Sequence, residues 1–221
     1  MTSPWLLHAL TLGPLGLYFW ILGLWHGDRH PRVVPGLLDH VALVLGVGGI
    51  VAFGPLGQYV TRALFGQPDW LDWLAFLSAL GLIASLFAGR ALRRAVVYHV
   101  DRPVILAAVE LTLQDLGVAY RGTITGFEQP SEGRWVVVET SPRLRTALIE
   151  VHGREAERFL QALRPRLQRR LRAIPVSPSR VSTVFQGLAV VVILIPALVG
   201  VLSQPGPRAA LRAFLTQFGI G

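Results

Sequence analysis

Four long apolar stretches dominate the chain, at Pro4–Trp25, Gly36–Val60, Trp70–Gly89 and Val181–Leu202. Each is long enough to cross roughly 30 Å of hydrocarbon as an α-helix. The first stretch is longer than the roughly 7–15-residue core of a signal peptide and is not preceded by basic residues, so it predicts a retained transmembrane helix. Trp5, Trp20, Trp25, Tyr59, Trp70 and Trp73 lie near the ends of these stretches. An amphipathic ring is favoured there, its body in lipid and its polar atom among headgroups.

The pattern changes between the third and fourth stretches. Val96–Val100 predicts a strand, and Asp101 can cap a helix over Arg102–Leu116, with Pro103 tolerated in its first turn and Gly117 suited to the left-handed closing position. A period of two follows, with Val118, Tyr120 and Ile124 alternating with polar or small residues, so one strand is expected there. Pro130-Ser131-Glu132-Gly133 predicts a turn, Trp135–Glu139 a strand pairing back as a hairpin, and Ala147–Val151 another strand. Gly153 then precedes a helix over Arg154–Arg172 with an apolar stripe at Phe159, Leu160, Leu163, Leu167 and Leu171. Pro165 is expected to kink or divide that helix near Leu163.

The expected fold is therefore a multi-pass α-helical membrane protein with four transmembrane helices. A small α+β insert of order β-α-β-β-β-α lies between helices 3 and 4, with both of its helices on one face of a mostly antiparallel sheet. Residues 1–95 form a three-helix region, 96–176 the α+β domain, 177–203 the fourth helix, and 204–221 an amphipathic tail. In that tail Leu211, Phe214, Leu215 and Phe218 recur at helical spacing, which suits a short helix on a membrane surface or, alternatively, packing on a partner.

Composition sharpens this picture. Of 221 residues, 52% are hydrophobic and 15% charged, against roughly 25% charged in soluble domains. The absence of cysteine excludes thiolate nucleophiles, disulfides and cysteine-ligated metals. Every basic side chain is arginine, which excludes a Schiff-base lysine and the phosphate-binding lysine of a P-loop. The same bias suggests a G+C-rich bacterial genome. Arg29 and Arg32 follow the first span, and Arg90, Arg93 and Arg94 follow the third, whereas Arg62 alone lies between the second and third. The positive-inside rule then places the insert in the cytoplasm and both termini outside, in a bacterial inner membrane.

Several residues carry candidate chemistry. Arg166, Arg169 and Arg170 belong to a basic helix that ends close to the fourth span, and they are the candidate contacts with anionic lipid headgroups, each contributing about 1 kcal/mol. A solvated face that satisfies the positive-inside rule explains the same pattern. Gly46, Gly81, Ser85 and Gly89 have the small-residue spacing that permits close helix packing, within the chain or on another subunit. Asp39 and Asp72, in the first turns of the second and third spans, are the candidate ion-path residues; a carboxylate at a helix amino terminus is also favoured in its own right. Gly13-Pro14-Leu15-Gly16 recurs as Gly54-Pro55-Leu56-Gly57, and paired breaks of this kind point to transporter sites. The two copies fall at different depths, which suits independent proline kinks. His26, Asp28 and His30 are too few for a convincing metal site, and His99 and His152 stand isolated.

No nucleophile, base and acid assemble in the sequence, no cofactor motif is present, and no nucleic-acid-binding pattern accompanies the basic helix. The expected function is that of a non-enzymatic adaptor, scaffold or regulatory subunit acting through the cytoplasmic α+β domain. A subunit of a small transporter or ion or proton channel is the alternative. The expected partners are the bilayer with its anionic headgroups and a protein partner or a second copy.

Overall fold

The computed structural model describes residues 4–67, 69–176 and 179–202. The expected interfacial helix of residues 204–221 and the side chain of Trp5 lie outside the described residues. The elements run α1 (Pro4–Gly27), β1 (Arg32–Pro35), α2 (Gly36–Phe53), α3 (Pro55–Phe65), α4 (Trp70–Ala91), β2 (Arg94–Tyr98), α5 (Arg102–Asp115), β3 (Arg121–Thr123), β4 (Gly126–Gln129), β5 (Arg134–Ser141), β6 (Thr146–His152), α6 (Ala156–Arg172) and α7 (Arg180–Leu202). Helices α1, α2, α4 and α7 are long and apolar enough to cross a membrane.

Contacts divide the chain into two compact units, and each of these four helices contributes to both. Among the described residues, the first unit holds 4–21, 43–67, 69–79 and 185–202. Its helices approach closely where side chains are missing. A Cβ on Gly46 would lie 2.6 Å from the Tyr18 Cβ, and one on Gly49 would lie 2.8 Å from the Leu10 carbonyl oxygen. Phe19 stacks on Phe185 and Phe53 on Trp73, with ring centroids 6.0 and 5.8 Å apart.

The second expected span is divided. It stops at Phe53, and Gly54 caps a separate helix whose first residue is Pro55. Proline has no N–H to continue the ladder, and its ring clashes with the preceding turn. The side chain of Gln58 donates to the Phe53 carbonyl at 3.0 Å, satisfying a carbonyl freed by the break. The earlier copy behaves differently, because α1 passes through Pro14 without interruption.

Among the described residues, the second unit holds 22–42, 80–176 and 179–184. Its centre is a six-stranded, wholly antiparallel sheet of order β1-β2-β6-β5-β4-β3. The sheet is wider than the insert alone supplies. Arg32–Pro35, from the connection between the first two apolar helices, pairs with β2 in the register Val33↔Val97 and Val34↔Val96. Ala95 and Val97 of β2, Ala147, Ile149 and Val151 of β6, and Val136 and Val138 of β5 join one core with Ile105, Val109 and Leu113 of α5. Leu160, Leu163, Leu167 and Leu171 of α6 fall in the same cluster, so both helices cover one face. Burying each such leucine contributes roughly 1.5–3 kcal/mol.

The insert itself reads β-α-β-β-β-β-α, one strand more than expected. The single strand anticipated over 118–125 is replaced by β3, a turn and β4. Tyr120 leaves the ladder because its ring meets Phe127 edge-on at 5.4 Å and its hydroxyl bonds Glu110 and Gln114 of α5. The first strand of the insert ends at Tyr98 rather than Val100, because His99 takes φ 62° and turns the chain out of the sheet. Helix α5 closes as its sequence predicts: Gly117 has φ 66°, its N–H donates to the Gln114 carbonyl, and Val118 N–H donates to the Leu113 carbonyl. Helix α6 is not divided at Pro165. Leu163 and Leu167, on either side of the proline, are both fully buried and hold the axis to the sheet.

Candidate functional site

A connected polar cluster lies in the second unit, at the carboxyl end of α1 and the amino end of α2. The strand β2 ends by presenting two side chains in succession. Tyr98 is buried, with its ring 5.1 Å from those of Trp25 and His26, and its hydroxyl donates to the Asp39 carboxylate. Burying a tyrosine hydroxyl without a partner is costly, so this bond fixes how β2 meets the first turn of α2. His40, the next residue, has Nε2 3.1 Å from the Ala84 carbonyl of α4.

His99 follows, wholly buried. Its Nδ1 lies 3.1 Å from the Asp28 carbonyl and its Nε2 lies 3.2 Å from Arg145 Nη1. Arginine has only donors, so Nε2 accepts and Nδ1 carries the hydrogen that it donates to Asp28. Neither ring nitrogen is left over for proton transfer. Arg145 also grips Asp101 in a bidentate pair, with Nε to Oδ1 at 3.1 Å and Nη2 to Oδ2 at 2.9 Å. Asp101 sits at the amino cap of α5 as expected, but its side chain makes no capping bond because Arg145 holds it.

His99 and Arg145 are two of the three non-glycine residues with positive φ among the described residues, at 62° and 51°. Each such conformation costs about 1–2 kcal/mol. The pair bond ties the two strained turns together, and Val100 N–H donates to the Arg145 carbonyl at 2.9 Å to close them. The amino end of α7 joins the same region. Ser182 donates to the Gly23 carbonyl at 2.7 Å, and a Cβ on Gly27 would lie 2.8 Å from the Ser182 hydroxyl. The arrangement has the chemistry of a polar bracket: it fixes elements rather than presenting a nucleophile or base.

The residues singled out by the sequence are dispersed. Asp39 belongs to the bracket. Asp72 caps α4: Asp69 Oδ1 accepts from the N–H groups of Leu71 and Asp72, while Asp72 Oδ2 accepts from the Asp69 N–H. Asp39 and Asp72 belong to different units and have no hydrogen-bond partner in common. Gly46 is a packing residue. Gly81 and Gly89 have nothing within 4 Å of where a Cβ would stand, and Ser85 is exposed and donates to the Leu82 carbonyl. Among the described residues, these three positions make no close helix contact.

Arg166 and Arg170 meet the carboxyl end of α5. Arg166 donates to the Asp115 carbonyl at 3.2 Å, and Arg170 donates to the Leu111 carbonyl and the Asp115 carboxylate. Cations are favoured at that end of a helix, so both have a structural role whatever lies outside. Arg169 is exposed. Among the described residues no group of three or more His, Cys, Asp or Glu side chains converges as a metal site would require.

Sequence reasoning missed Tyr98 and Arg145 altogether and set His99 aside. The local signal was slight, since only the run Tyr98-His99-Val100-Asp101, polar and apolar mixed where a strand should continue, hints at a turn with a task. No family model, curated protein or solved structure matches the chain.

Proposed function

We infer that this protein is a non-enzymatic, multi-pass membrane protein that acts as an adaptor or regulatory subunit, its α+β domain binding a protein partner. One observation carries the reading. The sheet takes β1 from between two apolar helices, so the domain is built onto helix ends and not tethered to them. The connection from α4 to β2 is two residues long, and Gly36 approaches so closely that a Cβ there would lie 2.6 Å from the Ala91 carbonyl oxygen. A shift of one helix end is therefore transmitted to the sheet, which leaves Ile124 91% exposed at a hairpin tip and Trp135 48% exposed on β5. These two exposed apolar side chains are the proposed contacts for the partner.

The arginine distribution supports a cytoplasmic domain in a bacterial inner membrane with both termini outside, since Arg29, Arg32, Arg90, Arg93 and Arg94 all lie near the sheet end of the helices. Ser131→Cys in this cysteine-free chain tests the orientation: an impermeant maleimide should leave it unlabelled in intact cells. The transporter or channel alternative has less support, because Asp39 and Asp72 are engaged by Tyr98 and by the α4 cap. Purification in mild detergent with mass determination tests the main reading. A stoichiometric foreign chain is expected, lost on Ile124→Asp with Trp135→Ala; a homo-oligomer that conducts ions would overturn it.

A further inference from the structure

The face of α4 that leads into the sheet changes character in a definite order. Leu82 and Leu86 are 65% and 73% exposed, Gly89 presents no side chain, and Arg90 and Arg93 follow. Positions 82, 86, 89 and 90 lie at the i, i+4, i+7, i+8 spacing of one helical stripe, and Arg93 lies in the turn that follows α4 and lines the same cavity as Arg90. Beside the polar end of this stripe is an open cavity of about 520 Å³ between α4 and the uncovered side of β2 and β6, floored by Arg94, Glu150 and His152.

The charges in this cavity do not balance. Glu150 is paired with Arg94 at 2.8 Å and is 3.7 Å from His152. Arg90 and Arg93 have no hydrogen-bond or ion-pair partner for their guanidinium groups among the described residues, so two positive charges remain. Their backbones are nonetheless fixed. Arg93 N–H donates to the Arg90 carbonyl at 3.1 Å, and Val151 N–H of β6 donates to the Arg93 carbonyl at 3.0 Å. The two side chains thus spring from an anchored turn at the end of an apolar helix, and the missing Cβ of Gly89 leaves the approach from the apolar side open.

We propose that this cavity is a binding site for one anionic phospholipid, its phosphate held by Arg90 and Arg93 and an acyl chain lying along Leu86 and Leu82 past Gly89. Guanidinium groups bind phosphate oxygens in pairs, and the order of apolar, open and cationic positions along α4 matches the order of acyl chain, glycerol and phosphate. A soluble phosphate compound would use the arginines but not the leucines. The site lies at the end of α4, and none of the α6 arginines lines it. It depends on α4 crossing a bilayer and not on the identity of any protein partner.

The test is native mass spectrometry of the full-length protein in detergent, with phosphatidylglycerol and phosphatidylcholine of identical chains. Phosphatidylglycerol should be retained in preference, and Arg90→Gln with Arg93→Gln should weaken its retention roughly twenty-five-fold, two arginines at about fivefold each. Arg143→Gln, in the exposed turn between β5 and β6 and outside this cavity, should leave it unchanged. Millimolar inorganic phosphate should not displace the lipid, and Leu86→Asp should weaken retention with both arginines present. Equal retention of the two lipids by the native protein, or full displacement by phosphate, would overturn the proposal, as would a folded Arg90/Arg93 variant that retains phosphatidylglycerol unchanged.

Discussion

The hydroxyl of Tyr98, the last residue of β2, donates to the carboxylate of Asp39 in the first turn of α2. The bond joins a strand of the α+β domain to the start of an apolar helix, and it gives Asp39 a task that needs no ion. Tyr98→Phe should lower stability by about 1.5–3 kcal/mol, the range for a hydrogen bond to a charged group whose partner stays half-buried. Asp39→Asn keeps an acceptor and should cost about half as much. Thermal unfolding of the detergent-solubilised variants checks both, and a Tyr98→Phe variant that unfolds at the native temperature would contradict the assignment.

Arg145 serves both His99 and Asp101, and the two contacts differ in burial. His99 is wholly buried while the Asp101 side chain is 55% exposed. Arg145→Ala leaves His99 Nε2 without its donor and should cost about 2–3 kcal/mol. Asp101→Ala loses a solvent-screened ion pair and should cost about 1 kcal/mol or less. Unfolding midpoints in parallel detergent preparations should separate them in that order.

The glycines of the apolar helices divide into tight and open positions. A Cβ on Gly57 would collide with the Ala52 carbonyl oxygen, whereas Gly48 has nothing within 4 Å. Gly57→Ala should therefore destabilise the protein by about 2 kcal/mol or more, because backbone must move. Gly48→Ala should be neutral or stabilising by up to about 1 kcal/mol through helix propensity. Melting temperatures of the two single variants measure the contrast.

On α6, Arg170 reaches the Leu111 carbonyl and the Asp115 carboxylate while Arg169 is exposed. Arg170→Gln should cost about 0.5–1 kcal/mol, and Arg169→Gln should stay within about 0.5 kcal/mol of the native protein. Hydrogen exchange at the last turn of α5 should quicken for the first variant only.

Unbroken apolar length made the four spans legible, and the 3.6-residue stripe of Leu160, Leu163, Leu167 and Leu171 did the same for α6, because a repeat held over many turns has few competing readings. The Gly54-Pro55 break was visible as a motif, but its outcome was not, since the same tetrapeptide leaves α1 unbroken at Pro14. What decides the difference is local: Gln58 bonds the Phe53 carbonyl, while Leu17 at the matching place in α1 has no polar group to offer. β1 was hidden for another reason. Four residues, Arg32 to Pro35, are too few to show alternation, and their strand state comes from pairing with β2, distant in sequence. The polar bracket was equally hidden, because Asp28, Asp39, His99 and Arg145 are brought together only by that sheet.

The pairing of β1 with β2 is what makes the domain an extension of the helix ends. It can be tested by disulfide cross-linking in native membranes, using the absence of other cysteines. Val34→Cys with Val96→Cys places the thiols on opposed residues of the register, whereas Val34→Cys with Val97→Cys puts them on opposite faces of the sheet. Rapid oxidation of the first pair and little of the second is the predicted result. Failure of the first pair, or equal oxidation of both, would show that the segment between the first two apolar helices does not belong to the sheet.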